Sequence, residues 1–245
     1  MKSVVRIYIF LFLLIPFCGF GQDEEINVLF VGNSFTYFWN VPQLVQSMAQ
    51  SQDVAIVTRQ STAGGATWEE HWTGKKNLNT KSKIAEGDWD YVVLQNHSTS
   101  SIDNLERFQK YGKEFNQLIR ANGAEPMLYM TWAYKSNPLM QPAITKAYTD
   151  LGEEIMAEIV PVGPVFEKLR QLRPDIDLFF DDKHQTEYGS YVIALCFYKK
   201  LSGKSVLSIP SRLSSFDKTG ELTHLIFIPE AEAKFLRQLV EEFEF

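Results

Sequence analysis

The sequence has few of the residues and motifs that indicate a disulfide scaffold, a metal site or a nucleotide cofactor. It contains only 2 cysteines and 4 histidines, and no histidines stand in an HExxH spacing. Neither GxGxxG nor GxxxxGK[ST] occurs, so dinucleotide sites and P-loops have no support. We therefore expect a protein that uses no metal ion and no cofactor.

Positive charge is also scarce. The 24 Lys and Arg are outnumbered by 30 Asp and Glu, which gives a formal net charge of −6, and no basic run occurs. An acidic chain of this kind is poorly suited to nucleic acid or to an anionic membrane surface. We expect a small molecule or a glycan as the partner.

The longest apolar run lies at the amino terminus. Residues 7–17 are apolar, Lys2 and Arg6 precede or flank them, and Gly19-Phe20-Gly21 offers small residues for cleavage. This pattern is typical of a signal peptide over residues 1–21, which predicts export to the periplasm or the extracellular space. Lipid attachment at Cys18 and a retained anchor are the alternatives. The run is shorter than the roughly 20 residues that span a bilayer, so no stable membrane insertion is expected after cleavage.

The remaining chain alternates short apolar runs with amphipathic stretches. Such alternation predicts an α/β fold with a parallel sheet between helices, and residues 22–245 are long enough for one domain. Residues 202–224 show no regular pattern. The predicted strands are residues 26–31, 54–59, 90–96, 126–131 and 159–162, and the predicted helices are residues 41–51, 105–121, 143–158, 165–172, 187–201 and 229–243.

A serine follows the first predicted strand. The apolar run that starts at Ile26 is stopped by Gly32-Asn33, and Ser34 comes next. In open α/β sheets, ligands bind outside the carboxyl ends of the strands. Ser34 is therefore a candidate nucleophile.

A base and an acid for that serine lie near the other end of the chain. In Asp181-Asp182-Lys183-His184, an Asp three residues before a His can place its carboxylate beside Nδ1, leaving Nε2 free to accept a hydroxyl proton. Asp182, two residues before the histidine, is expected to face solvent or to cap the next helix. The alternative for the whole segment is a solvated capping loop.

Further strand ends offer groups that could stabilise an oxyanion. Gly64-Gly65 can present an unobstructed N–H, Gln95 or Asn96 a side-chain amide, and Ser34 its own N–H. Each also has an ordinary structural interpretation, as a tight turn or a polar strand end.

Two aromatic or imidazole side chains stand where they could meet a substrate. His97 follows the candidate amides, and Trp132 follows the fourth predicted strand, where a sugar ring could stack. The alternative is that His97 is merely solvated and that Trp132 packs in the core.

These segments resemble a known family. Gly32-Asn33-Ser34-Phe35 resembles the first block of the SGNH hydrolases, also called GDSL-like esterases and lipases, and residues 64–67, Gln95 and residues 181–184 resemble their later blocks in the same order. The resemblance covers nearly all of residues 22–245 and is greatest to the DUF4886 group of bacterial SGNH-like proteins. Asn33 stands where the family has Asp, and no GxND sequence occurs.

The resemblance implies a flavodoxin-like three-layer α/β/α fold with about five parallel strands. It also implies a triad of Ser34, His184 and Asp181, with the N–H groups of Ser34 and Gly65 facing the oxyanion. The third donor is assigned to Gln95, following sialate esterase-like relatives, with Asn96 as the alternative; Gly64, Asn96, His97 and Trp132 remain possible oxyanion or substrate contacts.

The function expected on these grounds is that of an exported serine esterase without cofactor. The ester is expected to be an O-acyl group, such as acetyl, on a carbohydrate. Two alternatives stay open: a glycan-binding protein that has lost turnover on a hydrolase fold, and an acyltransferase that uses the same triad.

Overall fold

The structure is a computed structural model that describes residues 25–245 of the chain. Its centre is a sheet of five parallel strands. These are β1 (Ile26–Gly32), β2 (Ile56–Thr62), β3 (Tyr91–Leu94), β4 (Glu125–Tyr129) and β5 (Glu158–Val160). They lie in the order β2-β1-β3-β4-β5.

Strand β1 lies inside the sheet because its side chains are apolar on both faces. Residues 28–31, VLFV, are fully buried, as expected for a strand covered by helices on both sides. Val28 pairs with Thr58 of β2 on one side and with Tyr91 of β3 on the other. The carboxyl ends of these three strands therefore meet at one edge of the sheet.

Helices cover both faces of the sheet, so the predicted α/β/α fold with five parallel strands is confirmed. The longer helices begin and end within three residues of their predicted bounds. In chain order the helices are α1 (Ser34–Tyr37), α2 (Val41–Gln50), α3 (Trp68–Thr73), α4 (Thr80–Glu86), α5 (Ser100–Asp103), α6 (Leu105–Ala121), α7 (Gln141–Ile155), α8 (Val162–Leu172), α9 (Glu187–Ser202) and α10 (Glu230–Glu242).

Two apolar clusters lie on opposite faces of the sheet. One cluster consists of side chains from α2, α8, α9 and α10 that pack against Val28 and Phe30 of β1. The other cluster consists of side chains from α3, α4, α6 and α7 that pack against Leu29 and Val31 of β1. Because successive side chains of a strand point to opposite faces, β1 contributes to both clusters. Helix α9 is buried along its length, including the free Cys196 thiol, and this burial raises the pKa of Cys196.

The region after α9 contains a hairpin that the sequence pattern did not indicate. Strands β6 (Arg212–Phe216) and β7 (Leu222–Phe227) pair antiparallel, with a register irregularity at Leu213/Ser214. Leu213 and Ile226 face the core, whereas most of the other side chains are exposed. The short strands and the irregularity remove the clean alternation that sequence reasoning relies on.

The predicted signal segment, with Cys18, lies outside the described residues. Within residues 25–245, none of the helices combines the length and the apolar character that crossing a bilayer requires.

Candidate active site

Ser34 stands at the junction between β1 and α1. Asn33 caps this short helix, its Oδ1 accepting from the Phe35 N–H at 3.1 Å. A Cβ atom at position 32 would overlap Thr36 Oγ1 and Gln95 Oε1. Position 32 therefore has room only for glycine, which lets Thr36 and Gln95 pack directly against the end of β1.

The structure brings Ser34, His184 and Asp181 into one hydrogen-bonded chain. His184 Nε2 lies 2.9 Å from Ser34 Oγ, and His184 Nδ1 lies 2.7 Å from Asp181 Oδ2. An imidazole that donates from Nδ1 to the carboxylate has its Nε2 lone pair free for the hydroxyl proton. The arrangement suits activation of Ser34 as a nucleophile.

Backbone donors hold the Asp181 carboxylate in place. Its Oδ1 accepts from the N–H groups of Lys183 at 2.8 Å and His184 at 2.7 Å. Partial desolvation raises the pKa of Asp181, but the hydrogen bonds from the His184 side chain and from these two N–H groups outweigh it and lower the pKa to about 2. The acid is therefore ionised at any pH where an enzyme of this kind would work.

Aromatic rings fix the orientation of the imidazole. The Phe38 ring stacks on His184 with centroids 4.6 Å apart, and Phe35 meets it edge-on at 5.7 Å. Behind them, Trp132 stacks on Phe35 at 4.4 Å and donates from Nε1 to the Lys183 carbonyl at 2.8 Å. The ring system thus supports both the serine segment and the histidine segment.

Three backbone N–H groups are available beside the serine. Within residues 25–245, the N–H groups of Ser34, Gly64 and Gly65 donate to no other protein atom. Gly65 has φ +60°, where glycine is favoured, and both glycines line the same pocket as Ser34. Lys76 donates to the Gly64 carbonyl at 2.9 Å and fixes this loop. These N–H groups can face a developing oxyanion.

The expectation for Gln95 needs correction. Its side chain is fully buried, and Oε1 accepts from the Asn33 N–H at 2.8 Å and from Thr36 Oγ1 at 3.0 Å. Its Nε2 donates to the Asn96 carbonyl. The carboxamide is thus engaged by buried donors that would otherwise have no partner, and Gln95 does not line the pocket.

Asn96, the alternative to Gln95, also lies outside the pocket. Its side chain is buried, and Oδ1 accepts from the Trp68 N–H at 2.9 Å and from the His97 N–H at 2.8 Å. Asn96 therefore joins the start of α3 to the end of β3. Its oxygen thus positions these loops, whereas its Nδ2 donates to no atom of residues 25–245, and the oxyanion contact considered for Asn96 stays a prediction.

Asn33 has a role that sequence reasoning missed. Its Nδ2 donates to the Ala66 carbonyl at 3.0 Å and lies 3.4 Å from the Asn96 carbonyl. Together with the cap on Phe35, the side chain ties the ends of β1, β2 and β3 to one another. An amide does this because it donates and accepts at once, which a carboxylate cannot.

His97 and Ser98 complete the pocket on the β3 side. Burial lowers the pKa of His97, and the nearby Lys183 lowers it further, so the ring is neutral at pH 7. Ser98 Oγ lies 2.8 Å from the Tyr134 hydroxyl. The substrate contact predicted for His97 stays a prediction that its position permits.

Trp132 does not line this pocket. Its ring is 1% exposed and lies between Phe35 and the Phe166 ring, 4.7 Å away. A ring with aromatic partners on both faces has no face left for a sugar. The expectation of a substrate contact from Trp132 is therefore corrected to a packing role.

The pocket itself has a volume of about 280 Å³. Asn33, Ser34, Tyr37, Phe38 and His184 are among the residues that line it. Asp182 lies outside it, where its carboxylate accepts from the Ser136 N–H at 2.8 Å and from the Ser136 hydroxyl at 2.9 Å. A cavity of this size suits a small acyl group or one sugar unit better than a long chain.

A buried histidine beneath the site titrates in a measurable range. His71 Nε2 lies 3.0 Å from the Gly32 carbonyl, and Nδ1 lies 2.7 Å from Thr80 Oγ1. Burial lowers the pKa of His71 to about 4, whereas an unfolded histidine has a pKa of roughly 6.5. Between these values the unfolded chain binds a proton that the folded chain does not.

We therefore expect the free energy of unfolding to fall by about 1.4 kcal/mol per pH unit as the pH decreases from about 6.5 to about 4 because of His71. Above that range the contribution is constant. Urea denaturation across pH 4 to 7 should show a shallower slope for His71→Gln than for the wild type. His224→Gln, which changes an exposed histidine, is the matched control. Equal slopes for the wild type and His71→Gln would contradict the prediction.

No family model and no curated protein matches the sequence. Solved structures do match it. A DUF4886 family protein from Bacteroides uniformis aligns with TM-score 0.71 and 19% identity over 89% of this chain and 94% of that one. A candidate SGNH hydrolase from Slackia heliotrinireducens aligns with TM-score 0.64 and 21% identity over 73% of this chain and 100% of that one.

Enzymes that act on acetylated xylan are among the similar structures. A variant of an acetyl-xylooligosaccharide esterase from Geobacillus Stearmophilus aligns with TM-score 0.58 and 13% identity over 73% of this chain and 96% of that one. At these identities the likeness shows a shared fold. The fold of the chain is therefore that of the SGNH hydrolases, including the DUF4886 group.

Proposed function

We propose that the protein is a serine esterase that hydrolyses an O-acyl ester, with a carbohydrate acetyl ester as the substrate. The observation that carries the proposal is the hydrogen-bonded chain from Asp181 through His184 to Ser34 beside unpaired backbone N–H groups. The shared fold with acetyl-xylan esterases supports the choice of ester.

In the first half-reaction, Ser34 Oγ attacks the ester carbonyl carbon while His184 Nε2 takes the hydroxyl proton. Asp181 stabilises the imidazolium that forms. The tetrahedral oxyanion faces the N–H groups of Ser34 and Gly65. When the carbon–oxygen bond to the alcohol breaks, His184 gives its proton to the leaving sugar oxygen, and an acyl-Ser34 remains.

In the second half-reaction, His184 removes a proton from water, and the resulting hydroxide attacks the acyl carbonyl. Collapse of this intermediate returns the proton to Ser34 Oγ and releases the carboxylic acid. Gly64 and Gly65 are exposed at the pocket, so water reaches the acyl group. This access favours hydrolysis over transfer to another acceptor, which requires the exclusion of water.

The intact geometry also favours catalysis over binding alone. A protein that merely bound glycans would need no histidine within 2.9 Å of the serine hydroxyl and no buried support for its ring. We infer export to the periplasm or the extracellular space from the amino-terminal segment, whose pattern is typical of a signal peptide.

A fluorophosphonate probe tests the proposal directly, since it reacts only with an activated serine. We expect release of p-nitrophenol from p-nitrophenyl acetate, and a probe adduct on the peptide that contains Ser34 whose amount tracks the loss of activity. Ser98→Ala removes another serine of the same pocket and should still be labelled. No adduct, or an adduct on a different serine, would show that Ser34 is not the nucleophile.

A further inference from the structure

A second and larger groove lies along the β2 edge of the sheet. Its volume is about 790 Å³, which is within the range of sites that bind sizeable ligands. Helix α2 forms one side, the α4–β3 connection forms the other, and the turn of the β6–β7 hairpin adds Lys218. Nothing in the proposed reaction uses this groove.

The charged side chains of the groove are all cationic. In the part of the chain that the structure describes they are Arg59, Lys83 and Lys218, and no carboxylate of that part lines the groove. Within residues 25–245, none of the three forms a salt bridge. Asp217, beside Lys218, accepts instead from the N–H and hydroxyl of Thr219. In a chain of net charge −6, this is a local site for an anion.

Besides Thr58, the uncharged polar side chains that line the groove are the amides of Asn40, Gln43, Gln46 and Gln60. Amides both donate and accept, as sugar hydroxyls do. Of the residues that the structure describes, Trp89 is the one aromatic side chain that lines the groove, and its Nε1 donates to the Lys83 carbonyl at 2.8 Å. Binding of single-stranded nucleic acid relies on a series of stacking rings, which the groove does not offer.

The exposed edge of β2 is closed to an added strand. The Thr58 N–H donates to Gln46 Oε1 at 2.9 Å, and the Gln60 carbonyl accepts from Lys83 Nζ at 3.0 Å. Side chains that occupy edge groups in this way prevent strand pairing. An extended peptide is therefore a poor occupant.

The groove adjoins the candidate active site through one short segment. Tyr37 and Phe38 line the Ser34 pocket, and Asn40 lines the groove. Between them, Trp39 has φ +54° and exposes 42% of its surface. A left-handed conformation is costly for tryptophan and such strain is concentrated at functional sites. A polymer held in the groove can thus place one unit at Ser34.

From these observations we propose that the groove binds an anionic glycan chain, with one carboxylate per sugar unit or fewer, whose esterified unit reaches Ser34. The cations pair with the carboxylates, and the amides pair with hydroxyls. The kinetic consequence rests on the proposed function, whereas binding of the polymer does not.

The test uses Arg59→Gln/Lys218→Gln, two exposed side chains. Polygalacturonate, a polyuronate without esters, should bind the wild type at low salt more tightly than neutral xylan. The double variant should lose about tenfold in affinity, and 0.5 M salt should remove the difference. Lys110→Gln/Lys146→Gln removes two exposed charges from α6 and α7 and should bind like the wild type.

The kinetic arm compares acetylated polygalacturonate with acetylated xylan. The double variant should raise KM about tenfold for the anionic polymer alone, with kcat and p-nitrophenyl acetate hydrolysis unchanged. If no ester is hydrolysed but the double variant still binds polygalacturonate more weakly than the wild type, the proposed esterase function is wrong and the proposed binding of an anionic glycan in the groove is supported. If esters are hydrolysed but the variant binds both polymers like the wild type, the groove proposal is overturned.

Two competitors complete the test. Inorganic phosphate should displace polygalacturonate only at concentrations far above those of the polymer, since one small anion contacts few of the groups. Equal displacement by phosphate, or tighter binding of a single-stranded oligonucleotide, would overturn the assignment to a glycan.

Discussion

Replacing Ser34 or His184 by alanine is expected to lower kcat for p-nitrophenyl acetate by about 10³-fold or more. Without the hydroxyl no acyl enzyme forms, and without the imidazole no base lies within reach of Ser34 Oγ, which is 2.9 Å from His184 Nε2. The two groups act as one unit, so the double variant should be no slower than either single variant. Steady-state rates with active-site titration measure this.

The two neighbouring aspartates provide a matched control for the acid. Asp181→Asn should lower kcat by roughly 10²-fold to 10⁴-fold, because an amide cannot stabilise the imidazolium. Asp182→Asn should leave kcat within a few-fold, since Asp182 contacts Ser136 and not His184. Comparable losses for both aspartates, or additive losses for Ser34→Ala and His184→Ala, would contradict the proposed triad.

The sheet and the long helices were predictable because their patterns are local. Residues 28–31 are apolar without interruption and are buried on both faces, and α6 and α9 begin at the predicted residues. Helix α7 begins at Gln141, two residues before the prediction, because Pro142 is tolerated in a first turn. The hairpin was missed because only a few of its side chains face the core.

The sequence did not reveal which side chains of the candidate site point into the pocket. Gln95 and Asn96 follow β3 directly, and both offer an amide at the right place in the chain. Which of them reaches the pocket depends on the buried donors of Asn33, Thr36 and Trp68. These donors belong to other segments, so no pattern around residue 95 could show that the Gln95 amide and the Asn96 side-chain oxygen are already engaged.

Trp132 shows the same limit for apolar residues. Its place after β4 brings it against Phe35, the residue that follows Ser34. Whether its ring is covered depends on Phe35 and Phe166, which are distant in sequence. The position of an aromatic residue at a strand end therefore predicts that it lies near the candidate active site, but it does not predict whether the ring is exposed to a substrate.

Trp132→Ala is expected to lower the free energy of unfolding by about 3 to 5 kcal/mol, the usual range for a buried aromatic ring. The ring is 1% exposed, stacks on two others and donates to the Lys183 carbonyl. For a domain of this size the melting temperature should fall by roughly 6 to 20 °C. Thermal and urea denaturation measure the change.

Trp39→Ala removes a ring of the same kind from an exposed position and provides the control. Trp39 is 42% exposed and has φ +54°, so its loss should change stability by less than about 1 kcal/mol. If Trp132→Ala unfolded like the wild type and instead raised KM for an acetylated sugar, Trp132 would be a substrate platform after all. A large loss of stability together with a lower kcat at temperatures where the variant is folded would instead show that the ring positions Ser34 and His184 through Phe35 and Lys183.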